Sequence, residues 1–185
     1  MTAVEELARE HRTILDVVGL LEATATHIER GGHVEPAMLG NLLGLCDWCI
    51  HASHVVKEEQ GLFPLLEARG LGPETTAVAA IHAQHQTAAV FLREMRAAAN
   101  RLPSGDAQAR REFQVWVRDY VGLVREHIRI EDEYFYSLAQ GALEAADDAT
   151  LRARFDRIDR ATNPPEEAAR CRALVERYRE VAAAW

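Results

Sequence analysis

CDWCIHASHVVKEEQGLFP, residues 46–64, lies in a region whose apolar residues recur with a helical period. At about 100° per residue, a side chain four positions along sits only about 40° round the axis. His54 and Glu58 therefore project side by side, with His51 on the same face, while Glu59 points elsewhere. An imidazole and a carboxylate one turn apart, in a largely apolar chain, are what one wall of a helical bundle offers a transition metal. One such pair says little unless the rest of the chain supplies the other walls.

The chain has 185 residues, 48% hydrophobic and 27% charged, which suits one globular domain with or without an appendage. A net charge of -8 argues against nucleic acid as a partner, since that would require a basic face. No basic leader followed by an apolar run opens the chain, and no segment is apolar enough to span a bilayer, so no membrane partner is expected. Cys46, Cys49 and Cys171 do not form a secreted disulfide framework, and a reducing cytoplasm is the expected location. Without any useful run of alternating polarity, the class is all-α.

Thr2 and Glu5 have the spacing of a capping box, and open a first helix with Leu7, His11, Ile14, Leu15, Val18, Leu21 and Ile28 near one stripe. Gly31 and Gly32 end it. Pro36 starts a second helix, disturbed near Gly61 and Pro64 and finished by Gly70. A turn with Gly72 and Pro73 leads to a third, from Thr76 to Asn100, and Asp106 caps a fourth that reaches about Gln140. Short connections make this an antiparallel up-down four-helix bundle over residues 1–140. Residues 141–185 form a C-terminal helical extension, with helices at 147–161 and 166–183 broken by Asn163, Pro164 and Pro165. Its place is on the outside of the bundle or against a partner.

The two halves of the bundle echo each other. Glu10-His11-Arg12-Thr13 matches Gln84-His85-Gln86-Thr87, and His54, Glu58, Leu62, Phe63 match His127, Glu131, Phe135, Tyr136. Folding the halves together turns His11, His54, Glu58, His85, His127 and Glu131 inward. His82, one turn before His85, can join them, and Asp132 is an alternative to Glu131. Buried imidazoles and carboxylates without partners cost several kcal/mol per charge. Divalent ions relieve that cost by binding neutral imidazole and compensating the acids.

This pattern, His…His-x-x-x-Glu…His…His-x-x-x-Glu over four helices, resembles the hemerythrin-like (HHE cation-binding) domain family over residues 4–140. The resemblance implies an up-down bundle around two non-haem iron ions. His11, His54, His85 and His127 would be terminal ligands, and Glu58 and Glu131 would bridge. Oxygen carriers of the family place two histidines four apart on the third helix, whereas Ile81 stands four before His85 here, with His82 a stand-in at a spacing of three. Their last helix carries His-x-x-x-x-Asp, which His127 and Asp132 also satisfy. Zinc or manganese would suit the same donors.

The functional expectation is a monomer or homodimer that binds, senses or reacts with O2, NO or peroxide as its small-molecule ligand. Peroxidase- or catalase-like turnover at the same centre is an alternative, with His51, His82 or a tyrosine as proton donor. Iron storage or iron-level sensing is another, and a metal-free interaction bundle a third. Cys46-x-x-Cys49 lacks the second pair a zinc finger needs and reads as two small buried residues. Tyr120, Tyr134 and Tyr136 read first as aromatic packing.

Overall fold

The computed structural model describes residues 1–72, 76–162 and 164–185; the turn residue Pro73 and the break residue Asn163 lie outside them. Six long helices carry the architecture, and no strand occurs among the described residues. The first, α1, spans Ala3–Glu29. Thr2 closes it in a capping box, its hydroxyl accepting from the Glu5 N–H while the Glu5 carboxylate accepts from the Thr2 N–H. α2 covers residues 36–68, α3 Thr76–Ala99, and α4 residues 107–142. Asp106 caps α4 by accepting from the N–H groups of Gln108 and Ala109. The extension supplies α5, Ala145–Thr162, and α6, Pro165–Ala182.

Each bundle helix packs on the next, and α4 packs back on α1. Cross-helix contacts run in opposite order along the two partners: His11 meets Asp132, Glu22 meets Arg125, and Ala25 meets Gln114. Leu15 of α1 is exposed, at the margin of the buried stripe.

Two apolar clusters fill the interior, one above and one below a polar layer. Ile14, Val18, Leu42, Ile50, Leu92, Phe113, Tyr120 and Val124 belong to the larger. Leu7, Leu62, Leu66, Ile81, Phe135 and Ala139 belong to the smaller. Every inward histidine and carboxylate lies at the boundary: His11 falls between Leu7 and Ile14, and His85 between Ile81 and Ala88.

α2 and α4 are not plain α-helices where they cross this layer. Both widen into a π turn immediately after the inward carboxylate, at Glu58–Leu62 and at Glu131–Phe135. The Phe63 N–H then reaches the Glu58 carbonyl and the Tyr136 N–H that of Glu131, five residues back. Such wide turns concentrate at functional sites. Pro64, with no N–H to donate, accompanies the first. Ser137 holds the matching place in α4, so the proline is not what creates the feature. A third wide stretch runs through Asp47–His54.

The extension lies on the bundle and shares both clusters. Leu151 and Phe155 of α5 join the smaller, and Cys171, Val175 and Tyr178 of α6 join the larger. α5 comes so close to α2 that a Cβ at position 61 would stand 2.7 Å from Phe155 Cε1, and the Gly61 carbonyl accepts from Arg154. Trp48 donates to the Thr162 carbonyl and Asn41 to the Tyr178 hydroxyl. Because Phe155 is 1% exposed, Phe155→Ala should lower the unfolding free energy by about 3–5 kcal/mol, measured by urea denaturation. Gly61→Ala should also destabilise, by forcing the Phe155 ring aside.

Candidate metal centre

The layer between the clusters is built from four helices. His11 comes from α1, His54 and Glu58 from α2, His85 from α3, and His127 and Glu131 from α4; all six side chains are buried. Their donor atoms form two overlapping groups, each within 4.8 Å: His11, His54 and Glu131, then Glu58, His85, His127 and Glu131. His11 Nε2 is 3.3 Å from His54 Nε2 and 3.2 Å from Glu131 Oε2. His85 Nε2 is 3.1 Å from Glu58 Oε2, and His127 Nε2 is 3.2 Å from Glu131 Oε1. Glu131 thus faces both histidine pairs with different oxygens. Glu58 approaches the first pair as well, with Oε2 3.8 Å from His54 Nε2.

The outer nitrogens explain why the inner ones converge. Each of the four histidines has its Nδ1 beside an acceptor: His11 by Asp132 at 2.8 Å, His54 by Glu10 at 3.0 Å, His85 by Glu59 at 2.7 Å and His127 by Gln84 at 2.9 Å. Nδ1–H donation to these oxygens leaves Nε2 as the free lone pair in the tautomer a metal needs. The pattern repeats across the halves. The residue before each α1 or α3 histidine holds the histidine of the next helix. The residue after each inward glutamate holds a histidine of α1 or α3.

Asp132 is therefore the outer partner of His11, and its side chain is 43% exposed, while Glu131 is fully buried. His82 does not join the cluster. About 60° round the axis from His85, it is 47% exposed and held by Glu59 at Nδ1 and Gln86 at Nε2. His51 is set back from the donors, with Nε2 3.3 Å from the Tyr120 hydroxyl. Tyr134 is exposed. Tyr136 does more than pack: its hydroxyl donates to Glu58 Oε1 at 2.9 Å and lies 3.2 Å from His11 Nε2. Its counterpart Phe63 stacks on His85 as Tyr136 stacks on His11. The cysteines are free and buried, and burial pushes the Cys49 thiol up to about 12, which makes it a packing group.

The electrostatics of this layer are unresolved by the protein alone. Burial pushes Glu131 well above the usual carboxylate range, and the neighbouring Glu58 pushes it further. Burial acts the same way on Glu58, but His54 and His85 outweigh it and hold that carboxyl low. His85 is pulled down by burial and raised to about 9 by Glu58 and Glu59. Burial, despite Glu58, takes His127 down to about 3. Glu58 Oε2, both oxygens of Glu131 and His85 Nε2 are buried without a hydrogen bond. Orphaned acceptors surrounded by imidazole lone pairs are the donor set of a first-row divalent ion, so the residues fit a metal.

A family model, Hemerythrin HHE cation binding domain, matches residues 2–139. The chain belongs to the hemerythrin HHE family. No curated protein matches it. Hemerythrin HHE domains bind metal cations, and the matched span ends within α4, before the extension.

Glu10 and Gln84 stand inside the repeated strings but are not singled out from sequence, and Glu59 is read there only as pointing away from His54 and Glu58. Their position relative to each histidine, combined with the need for an Nδ1 acceptor, is the signal that finds them. Cation binding must displace the proton that His85 holds near neutrality. Metal loading at pH 7 should release about one proton per chain from His85, detected with an indicator dye in weak buffer. Because the proton competes with the ion, affinity should rise with pH until His85 deprotonates near 9.

Proposed function

We propose that this hemerythrin-like protein holds two non-haem irons and binds or reacts with O2, NO or peroxide. The observation that carries the reading is the pair of half-sites, His11/His54 and His85/His127, sharing Glu131, with Glu58 between them. His11, His54, His85 and His127 with Glu58 and Glu131 would hold the ions and would leave room on them for a small ligand. Zinc or manganese would occupy the same donors, but neither combines imidazole–carboxylate affinity with ready O2 and NO chemistry as iron does. When bound, the iron pair would supply the redox chemistry of the centre.

The chain's own contribution is access and exclusion. A cavity of about 10 Å³ adjoins the centre, lined by His54, His85 and His127 on one side and by Ile14, Ile50, Leu123 and Val124 on others. That is room for about one water-sized molecule, so only a small ligand fits beside the centre. The apolar lining keeps bulk water from the centre.

Peroxide turnover is the second reading, and His51 favours it. Its imidazole lines the same cavity, and burial lowers it to about 4, so it is neutral at physiological pH. A neutral ring can take a proton from peroxide in that cavity, and its Nε2 lies 3.3 Å from the Tyr120 hydroxyl. No helix among the described residues is long and apolar enough to cross a membrane. We place the protein in the cytoplasm, as a monomer or homodimer, with the small molecule as its partner.

Metal analysis joined to absorption spectra with and without O2 tests the proposal. Two irons per chain and oxygen-dependent charge-transfer bands are expected, both lost in His54→Ala. Zinc at the same stoichiometry, or no metal after anaerobic purification, would refute it. His51→Leu separates the two readings: it should keep both metals and NO binding. If the protein turns over peroxide, that rate should fall by about 10²–10⁴-fold.

A further inference from the structure

Lys57 is 1% exposed, an unusual position for an ammonium group, and it touches none of the candidate ligand atoms. Its Nζ lies 2.5 Å from Glu10 Oε1, 3.2 Å from Glu6 Oε1 and 2.9 Å from Asp159 Oδ2. The other oxygen of Glu10 is the one beside His54 Nδ1, at 3.0 Å. A continuous chain of polar contacts therefore runs from α5 of the extension to a candidate ligand, through Asp159, Lys57, Glu10 and His54.

Among the described residues, the other half of the centre has no equivalent. Where Lys57 precedes Glu58, Ile130 precedes Glu131; where Glu10 precedes His11, Gln84 precedes His85. His127 Nδ1 accordingly faces a neutral amide oxygen. A carboxylate behind a ligating histidine raises its donor strength more than an amide does. An ammonium group in turn fixes where that carboxylate points and tempers its charge. Asp159 Oδ1 is itself buried without a hydrogen bond, so Lys57 is the group that compensates this aspartate.

We propose that Lys57 and Asp159 are positioning residues for the His11/His54 half of the centre, so that the C-terminal extension completes one of the two metal positions. The inference rests on the metal reading above. It makes the two positions unequal in affinity, and it couples occupancy of one of them to docking of α5. By linkage the coupling is reciprocal: whatever loosens α5 weakens that ion, and the ion holds α5 down.

The test uses the full-length protein, stripped of metal and titrated anaerobically with ferrous iron against a competing chelator. Wild type should take up two equivalents. Asp159→Asn, isosteric and at a side chain one-third exposed, should bind one equivalent as wild type does. The other should weaken about 10–100-fold, with helical circular dichroism unchanged and Asp159→Glu recovering part of the loss. In wild type alone, iron should slow hydrogen exchange at the amides of 155–162. Equal affinities retained in Asp159→Asn, both equivalents weakened together, or exchange in α5 indifferent to iron would each overturn the coupling. Wild type that takes up no iron would instead refute the metal reading itself.

Discussion

Glu58 and Glu131 face each other in a layer that water does not reach, bounded above and below by apolar side chains. Two carboxylates so placed cannot both ionise without positive charge between them. The protein's own answer is partial: one acid is held charged by histidines and the other is driven toward its neutral form. Much of the remaining architecture follows from this unresolved charge. Helices must come from four directions to bring enough imidazole. The imidazoles must be turned so that lone pairs, not protons, face the acids. A packed interior tolerates such a layer only if something with two positive charges completes it.

Orientation is handled from outside the layer. Asp132, Glu10, Glu59 and Gln84 each take the Nδ1–H of one inward histidine, and they sit next in sequence to the inward residues. One helical turn thus carries both a group that faces the centre and a group that steers a neighbour's group toward it. The near-twofold repetition of this scheme makes its departures visible: tyrosine against phenylalanine, glutamate against glutamine, lysine against isoleucine. They all place the extra polar groups around His11 and His54.

The helical class, the helix order and the convergence of six inward side chains were legible because a period of 3.6 turns sequence spacing directly into facing. His54 with Glu58 and His127 with Glu131 are readable for that reason. His82 was not, because a spacing of three from His85 leaves the side chain near the edge of the face, where Glu59 across the groove decides its direction. Glu10, Glu59 and Gln84 escaped, and Asp132 was legible only as an alternative to Glu131, because an outer acceptor's job depends on which helix lies alongside, a tertiary fact that one helix's pattern does not contain. Lys57 escaped for a related reason: in sequence it is an ordinary cation on a charged turn, and only α5, supplying Asp159, shows that it is interior. The disturbance near Gly61 and Pro64 was readable as a break but not as a wide turn, since its twin in α4 carries no proline.

Those wide turns have a consequence for how the molecule can change over time. In a regular helix, the residue five beyond an inward glutamate would point about 140° away; here Phe63 and Tyr136, each in that position, lie against the centre. Each π turn is equivalent to one surplus residue absorbed into the helix. Deleting a single residue from either turn would let it relax to a regular α-helix, with the ring four beyond the glutamate and only about 40° round the axis from it, still facing its histidine. α2 and α4 can thereby each lose one residue at this point without turning what lies beyond it, whereas a loss elsewhere in either helix would rotate the downstream side chains by about 100°.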